Sequence, residues 1–228
     1  MNAARLAGEQ NSCHIRGDIT LSDGRKIKLD DFFTSKQIFG FMAAGSDVVS
    51  ASNLVTVLLG TVMVNDFDAP QVEQIDLELQ TMPDAQYAVI ESVWQDKTII
   101  KPGDDLTVTI RLRDNNEKIS KVTQTVHIAE NIAGKNLTVF VSSSTSLTRY
   151  EMQANREKFV PKSFNHLLEI VEKRRKPQNL YVQLRAEDSG LIVEGKEMSD
   201  LPPSILGVMN TRASGGVSKR MQDRVIFE

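Results

Sequence analysis

The stretch "DLTVTIRLR", residues 105–113, constrains this chain more than any other. Leu106, Val108, Ile110 and Leu112 alternate with Thr107, Thr109, Arg111 and Arg113. Successive side chains of a strand point to opposite faces, so this period of two predicts a strand with one apolar and one polar face. A sheet built from such strands must be covered on its dry side. The same period recurs from Val72 to Ser142 in "VEQIDLEL", "YAVIESVW", "VTQTVHI" and "LTVFV". Turn residues separate these runs at Met82-Pro83-Asp84, Lys101-Pro102-Gly103-Asp104, Asp114-Asn115-Asn116-Glu117 and Ala133-Gly134-Lys135. Short strands without intervening helices predict an antiparallel, immunoglobulin-like β-sandwich, here without the disulfide of antibody domains. Trp94 falls on one of these strands and is expected in the core.

The flanks read differently. Residues 12–33 alternate on both sides of Asp23-Gly24, the signal of a hairpin in which Ile15, Ile19 and Leu21 face Ile27 and Leu29. From Asp47 the spacing of Val48, Ala51, Leu54, Val55, Leu58, Leu59 and Val62 is helical, with Ser46 or Asp47 placed to cap and an end near Asn65. Beyond residue 150, Pro161 and Ser163 open a helix striped by Phe164, Leu167, Leu168 and Val171. The basic run Lys173-Arg174-Arg175-Lys176 closes that helix, where cations suit its C-terminus. "NLYVQLRAE" is a strand burying Leu180, Val182 and Leu184, and "GLIVEG" is expected to pair with it. In "EMSDLPPSILGVMN" a short capped helix is expected to pack Ile205, Leu206 and Met209 onto the last sheet. The expected fold is therefore mainly β with α+β parts: a hairpin and buried helix over 1–66, the sandwich over 67–150, and a small α+β subdomain over 151–228.

Composition removes several function classes. Lys and Arg number 27 against 30 Asp and Glu, a formal charge of -3, which leaves no electrostatic footprint for nucleic acid. The longest apolar run, Leu54–Val64, is too short to span a bilayer. "MNAARLAGEQNSC" has no apolar core of the kind an export signal carries. The single cysteine, Cys13, forbids an intrachain disulfide and is expected to be an inert thiol. His14, His127 and His166 are scattered, with no acidic or cysteine neighbour at ligand spacing, so neither a metal nor another cofactor is expected. "ASGGVSK", residues 213–219, reads as a loop rather than a nucleophile elbow or a phosphate loop. Asp30-Asp31 and Asp104-Asp105 are adjacent in sequence, which on a strand sends the carboxylates to opposite faces.

"VIESVWQDKTIIKPGDDLTVTIRLR", followed by "FVPKSFNHLLEIVEKRRKPQNLYVQLRAEDSGLIVEGKEMSDLPPSILGVMNTRASGG", resembles the region downstream of the peptidase domain in bacterial proteins of the SpoIVB-type serine peptidase family. The most specific parts are Trp94 with the Lys101-Pro102-Gly103 turn, and Leu201-Pro202-Pro203-Ser204 near Gly215-Gly216. No stretch matches that family's serine- and histidine-bearing segments, so the resemblance carries over no catalytic residue. It implies a non-catalytic scaffold or protein-interaction region, extracytoplasmic, with a protein partner that could be a separate peptidase domain. Interaction residues would be Trp94, Pro102, Gly103, Leu201, Pro202, Pro203 and Ser204. The alternatives are an accessory half of a split serine peptidase, and a carbohydrate-binding sandwich.

Overall fold

Two periodicities, one of strands and one of helices, account for where the cores form. The computed structural model describes residues 11–35, 47–67, 70–132, 134–154, 156–187, 191–193, 196–198, 202, 204–205, 218–220 and 223–227. The chain divides into two compact units, one of residues 1–89, 113–118 and 161–179 and one of 90–112, 119–160 and 180–228. The sheets are antiparallel wherever register is defined, and the described residues are mainly β with three α-helices.

In the first unit β1 (Asn11–Leu21) and β2 (Lys26–Thr34) form the expected hairpin, with Ile19 opposite Ile27. Gly24, at φ 84°, makes the turn that an L side chain would strain. β3 (Val72–Pro83) pairs with the other side of β1, giving the order β2-β1-β3. One face of this sheet is covered by α1 (Asp47–Met63) and α3 (Phe164–Glu172), and Ile15, Ile19, Leu29, Ala51, Leu58, Val62, Phe164 and Leu168 close a common core. Ser163 caps α3, its Oγ accepting from the His166 amide at 3.2 Å. Cys13 lies in this core, and burial, with the Asp47 carboxylate as a lesser cause, pushes its thiol up. That makes a poor nucleophile. The helix expected to be buried over Leu54–Val64 is buried on one side only: Val57, Met63 and Val64 are exposed.

The second unit holds two three-stranded sheets that share a core. β4 (Ala88–Gln95), β5 (Asp105–Asp114) and β6 (Ile119–His127) form one sheet in the order β4-β5-β6. β7 (Leu137–Ser143), β8 (Leu180–Glu187) and β12 (Asp223–Phe227) form another in the order β12-β8-β7. Leu106, Val108, Ile110 and Val126 of the first sheet share a core with Leu184 and Ala186 of the second. The polar residues of β5 are not buried, while Leu106, Val108 and Ile110 are buried and Leu112 is partly so, as its alternation requires. α2 (Ser144–Ala154) follows β7 directly. Three short strands, β9 (Leu191–Val193), β10 (Lys196–Met198) and β11 (Ser218–Arg220), form a further sheet in the order β10-β9-β11.

Three expectations change. The boundaries at 66 and 150 do not separate the compact units: β3 belongs with the hairpin sheet, while β8 and β12 belong to the second unit. Strand alternation gives the face of a residue but not the partner of its strand, so β3 carried no mark of its neighbour. "GLIVEG" pairs through β9 with β10 and β11, not with β8. Finally, Ile205 is 44% exposed rather than packed, while Leu206 and Met209 lie outside the described residues.

Gly17, at φ 139°, supplies a sharp test of the first unit. A Cβ built there would stand 1.9 Å from the Asp76 carbonyl oxygen of β3, so the backbones can pair only because it is glycine. Gly17→Ala is expected to destabilise the first unit by about 3 kcal/mol or more, read as a fall in urea midpoint at unchanged slope.

Candidate functional site

Three clusters concentrate the charged and aromatic chemistry of the described residues, and each follows from how strands place alternate side chains. The first lies on β2. The β1–β2 register sets Arg16 opposite Asp30 and His14 opposite Phe32. His14 Nε2 is 2.8 Å from Asp30 Oδ1, Lys176 Nζ donates to Asp30 Oδ2 at 2.9 Å, and Arg16 Nε stands 3.5 Å from Oδ1. Arg16 Nε also approaches His14 Nε2 to 3.1 Å. A carboxylate can only accept, so the proton on Nε2 points to Asp30 and Arg16 acts on the carboxylate charge. Hydrogen bonds from Lys176 and then His14 hold the Asp30 carboxyl well below the usual carboxylate range.

The basic run expected to satisfy the α3 terminus turns out to clasp this strand. Arg174 ion-pairs with buried Asp31 and donates to the Lys28 carbonyl at 3.3 Å. Gln178 donates through Nε2 to the Asp30 carbonyl at 2.8 Å and accepts from the Phe32 amide at 3.2 Å. Lys28, Asp30 and Phe32 are alternate residues of an edge strand, so Arg174 and Gln178 take the place of a further strand. Lys173 stays on its helix, 3.6 Å from Glu169. The described contacts of the His14 ring are with Asp30 and Arg16, both at Nε2. This cluster is a clamp.

A second cluster lies under α2. Along β8, Leu184 and Ala186 face the shared core, while Gln183 and Arg185 point the other way and are nevertheless buried. Arg185 donates to Gln183 Oε1 at 3.1 Å, Gln183 donates to Glu151 Oε1 at 3.0 Å, and the guanidinium is 3.8 Å from Glu151. The guanidinium carbon lies 5.1 Å from the Tyr150 ring centroid and 5.8 Å from that of Phe140. Alternation marks Gln183 and Arg185 as polar-face residues and would leave them wet; α2, amphipathic through Leu147, covers them.

The third cluster is the one the sequence singled out. Trp94 is 44% exposed, not in the core. Lys121 Nζ sits 5.9 Å from the centre of its ring. On β6, Lys121 shares its parity with His127 and lies opposite core-facing Val126, so the cation over the indole comes from the outer face of β6. Ile119 has the same parity and is also exposed. Along the polar row of β5, Arg111 pairs with Glu91 at 2.8 Å and Asp105 meets His127 Nδ1 at 2.8 Å. Val93 and Val122 are exposed as well.

Pro102 and Gly103 form a structural turn. Gly103, at φ 86°, donates its amide to the Ile128 carbonyl at 2.8 Å, and the Asp104 amide returns to the Lys101 carbonyl at 3.0 Å. These partners do not overlap those of Trp94. Pro202 and Ser204 are exposed, the Ile205 amide donating to the Pro202 carbonyl at 2.9 Å, whereas Leu201 and Pro203 lie outside the described residues. Among the described residues, no cluster of three or more His, Cys, Asp or Glu is placed to hold a metal, and no helix is long and apolar enough to cross a membrane. No protein-family model, curated protein or solved structure matches the chain.

Two predictions follow from the charged clusters. Asp30 titrates lower in the folded than in the unfolded chain, so its contribution to stability is complete above the ordinary carboxylate pKa of about 4 and is lost as pH falls below it. Its side chain is half exposed, which limits the contribution to below about 1 kcal/mol. Asp30→Asn should flatten that acid limb in urea titrations and leave neutral-side curvature unchanged. Glu151→Ala removes a carboxylate from a fully buried guanidinium and should cost about 3 kcal/mol; adding Arg185→Met should recover part of the loss, measured by the same unfolding curves.

Proposed function

We propose that this chain is a non-catalytic protein-interaction module, a sandwich of immunoglobulin-like kind that holds a partner polypeptide against the outer face of β4-β5-β6. The observation that carries this reading is Trp94, a large indole left half exposed beside the cation of Lys121. Tryptophan is the residue most enriched at the energetic centre of protein interfaces, because it covers much apolar area while losing little side-chain freedom. The other charged clusters have their own internal partners, so they support the fold rather than a reaction. The resemblance to SpoIVB-type proteins supplies the partner to try first, a separate peptidase-domain polypeptide, and with it an extracytoplasmic setting.

An exposed indole also suits a sugar platform, and that reading predicts saccharide binding at the same ring. Tyr87 and Tyr181 do not extend the platform, since both are half-buried. Immobilised chain should retain a purified peptidase-domain polypeptide, and Trp94→Ala should weaken retention roughly tenfold while shifting the melting temperature by no more than about 2 °C. The exposed Val160→Ala serves as control and should retain the partner fully. Equal retention by the Trp94 variant would remove this site as the interface. Hydrolysis by the purified chain, blocked by a serine-directed inhibitor, would overturn the non-catalytic reading.

A further inference from the structure

Resting on that reading, we propose that the partner engages as an extended segment that adds a strand to the outer edge of β4, apolar in character and carrying an acidic side chain beside Lys121. β4 ends its sheet: the order is β4-β5-β6, and no described strand lies on its far side. A strand edge presents N–H and C=O groups that template pairing, and folded proteins blunt such edges with lysine, proline, bulges or covering segments. β2, also an edge, is covered by Arg174 and Gln178. β6, the opposite edge of the same sheet, carries Lys121. β4 reads "AVIESVWQ", with no lysine, arginine or proline, and its single charge, Glu91, is tied to Arg111. It is the least defended edge of its sheet.

The side chains select the chemistry of the incoming segment. Residues facing each other across paired strands have Cβ atoms about 5 Å apart, so the residue opposite Trp94 would flank the indole. Lys121 reaches over that ring, and its described interaction is with the ring alone, with no carboxylate neutralising it. An acidic side chain at that position on the added strand would complete a cation, ring and carboxylate arrangement, whereas a basic one would meet Lys121. Val93 is exposed on the opposite face of β4 and offers the neighbouring position an apolar contact. β4 has eight residues, so at about 3.3 Å per residue it accommodates a segment of similar length. Backbone pairing would supply affinity and the alternate side chains would supply selectivity.

Trp94 is the only tryptophan in the chain, so intrinsic tryptophan fluorescence reports on this site alone. The probes are synthetic octapeptides alternating valine and threonine, one with a central aspartate, one with lysine in its place, and one acidic peptide N-methylated at every amide. The acidic peptide should shift Trp94 emission to the blue and protect it from acrylamide, saturably, and the lysine peptide should bind roughly tenfold more weakly. Lys121→Glu should reverse the preference, and N-methylation should abolish binding because it removes the ladder donors. An unshifted Trp94 at millimolar acidic peptide, or equal affinity for the N-methylated form, would overturn strand addition. In that case persistent Trp94-dependent retention of the peptidase-domain polypeptide would still uphold the interaction module, and loss of both would end both readings. A concentration-dependent blue shift without peptide, with dimer in sedimentation, would assign the edge to a second copy instead. A response to soluble oligosaccharide alone would assign the ring to sugar.

Discussion

Every strand edge leaves backbone N–H and C=O groups that need partners, and the way this chain treats its edges organises much of the rest. In the first unit the solution is internal. Gln178 pairs with Asp30 and Phe32 along β2 in the manner of a strand, and Arg174 adds a bond to Lys28. For that to work the segment after α3 must be held against the hairpin, which the Lys176–Asp30 and Arg174–Asp31 ion pairs accomplish. Helix, charge and edge thus form one device: the apolar stripe of α3 brings its C-terminus to the sheet, and the basic run fastens it there. Asp31 sits in a row otherwise made of Ile27, Leu29 and Phe33, and its buried charge is tolerable only because Arg174 meets it.

The second unit meets the same constraint through layers. β8 is buried on both faces, with Leu184 and Ala186 in the shared core and Gln183 and Arg185 beneath α2. A polar face can be buried only if its groups find partners, and Glu151, Gln183 and the Phe140–Tyr150 ring pair provide them. That arrangement fixes the register of β8 more tightly than apolar packing would, since slipping by one residue would place Arg185 in the core and Leu184 under Glu151.

Much of this was readable from residues alone, and the limits are physical. The dry face of β5, the β1–β2 hairpin and the stripe and cap of α3 follow from local periodicity, which depends on side-chain direction and nothing distant. Which strand lies beside which does not. β3 alternates as a sandwich strand would, yet it pairs with β1, and Gly17 is the single residue that records the close approach. The candidate site was half legible. Trp94 stood out as a lone indole, but its exposure depends on the packing of distant elements, and Lys121 became its neighbour only through a fold that sets β6 two strands away. Gln178 and Glu151 carried no sequence signal, because an amide or carboxylate becomes structural only when a distant backbone or guanidinium arrives beside it.

Trp94 also bears on why the open edge persists. Leaving an indole half in water forgoes a burial worth on the order of 1–2 kcal/mol, a sizeable part of a typical domain's net stability. A sheet that carried lysine on β4 as it does on β6 would be less prone to unwanted pairing. The two exposures coincide on the same strand, and neither is required by the core, whose buried members lie in β5, the end of β6 and β8. Under the proposed strand addition the exposed indole and the open edge, both on β4, would serve one contact.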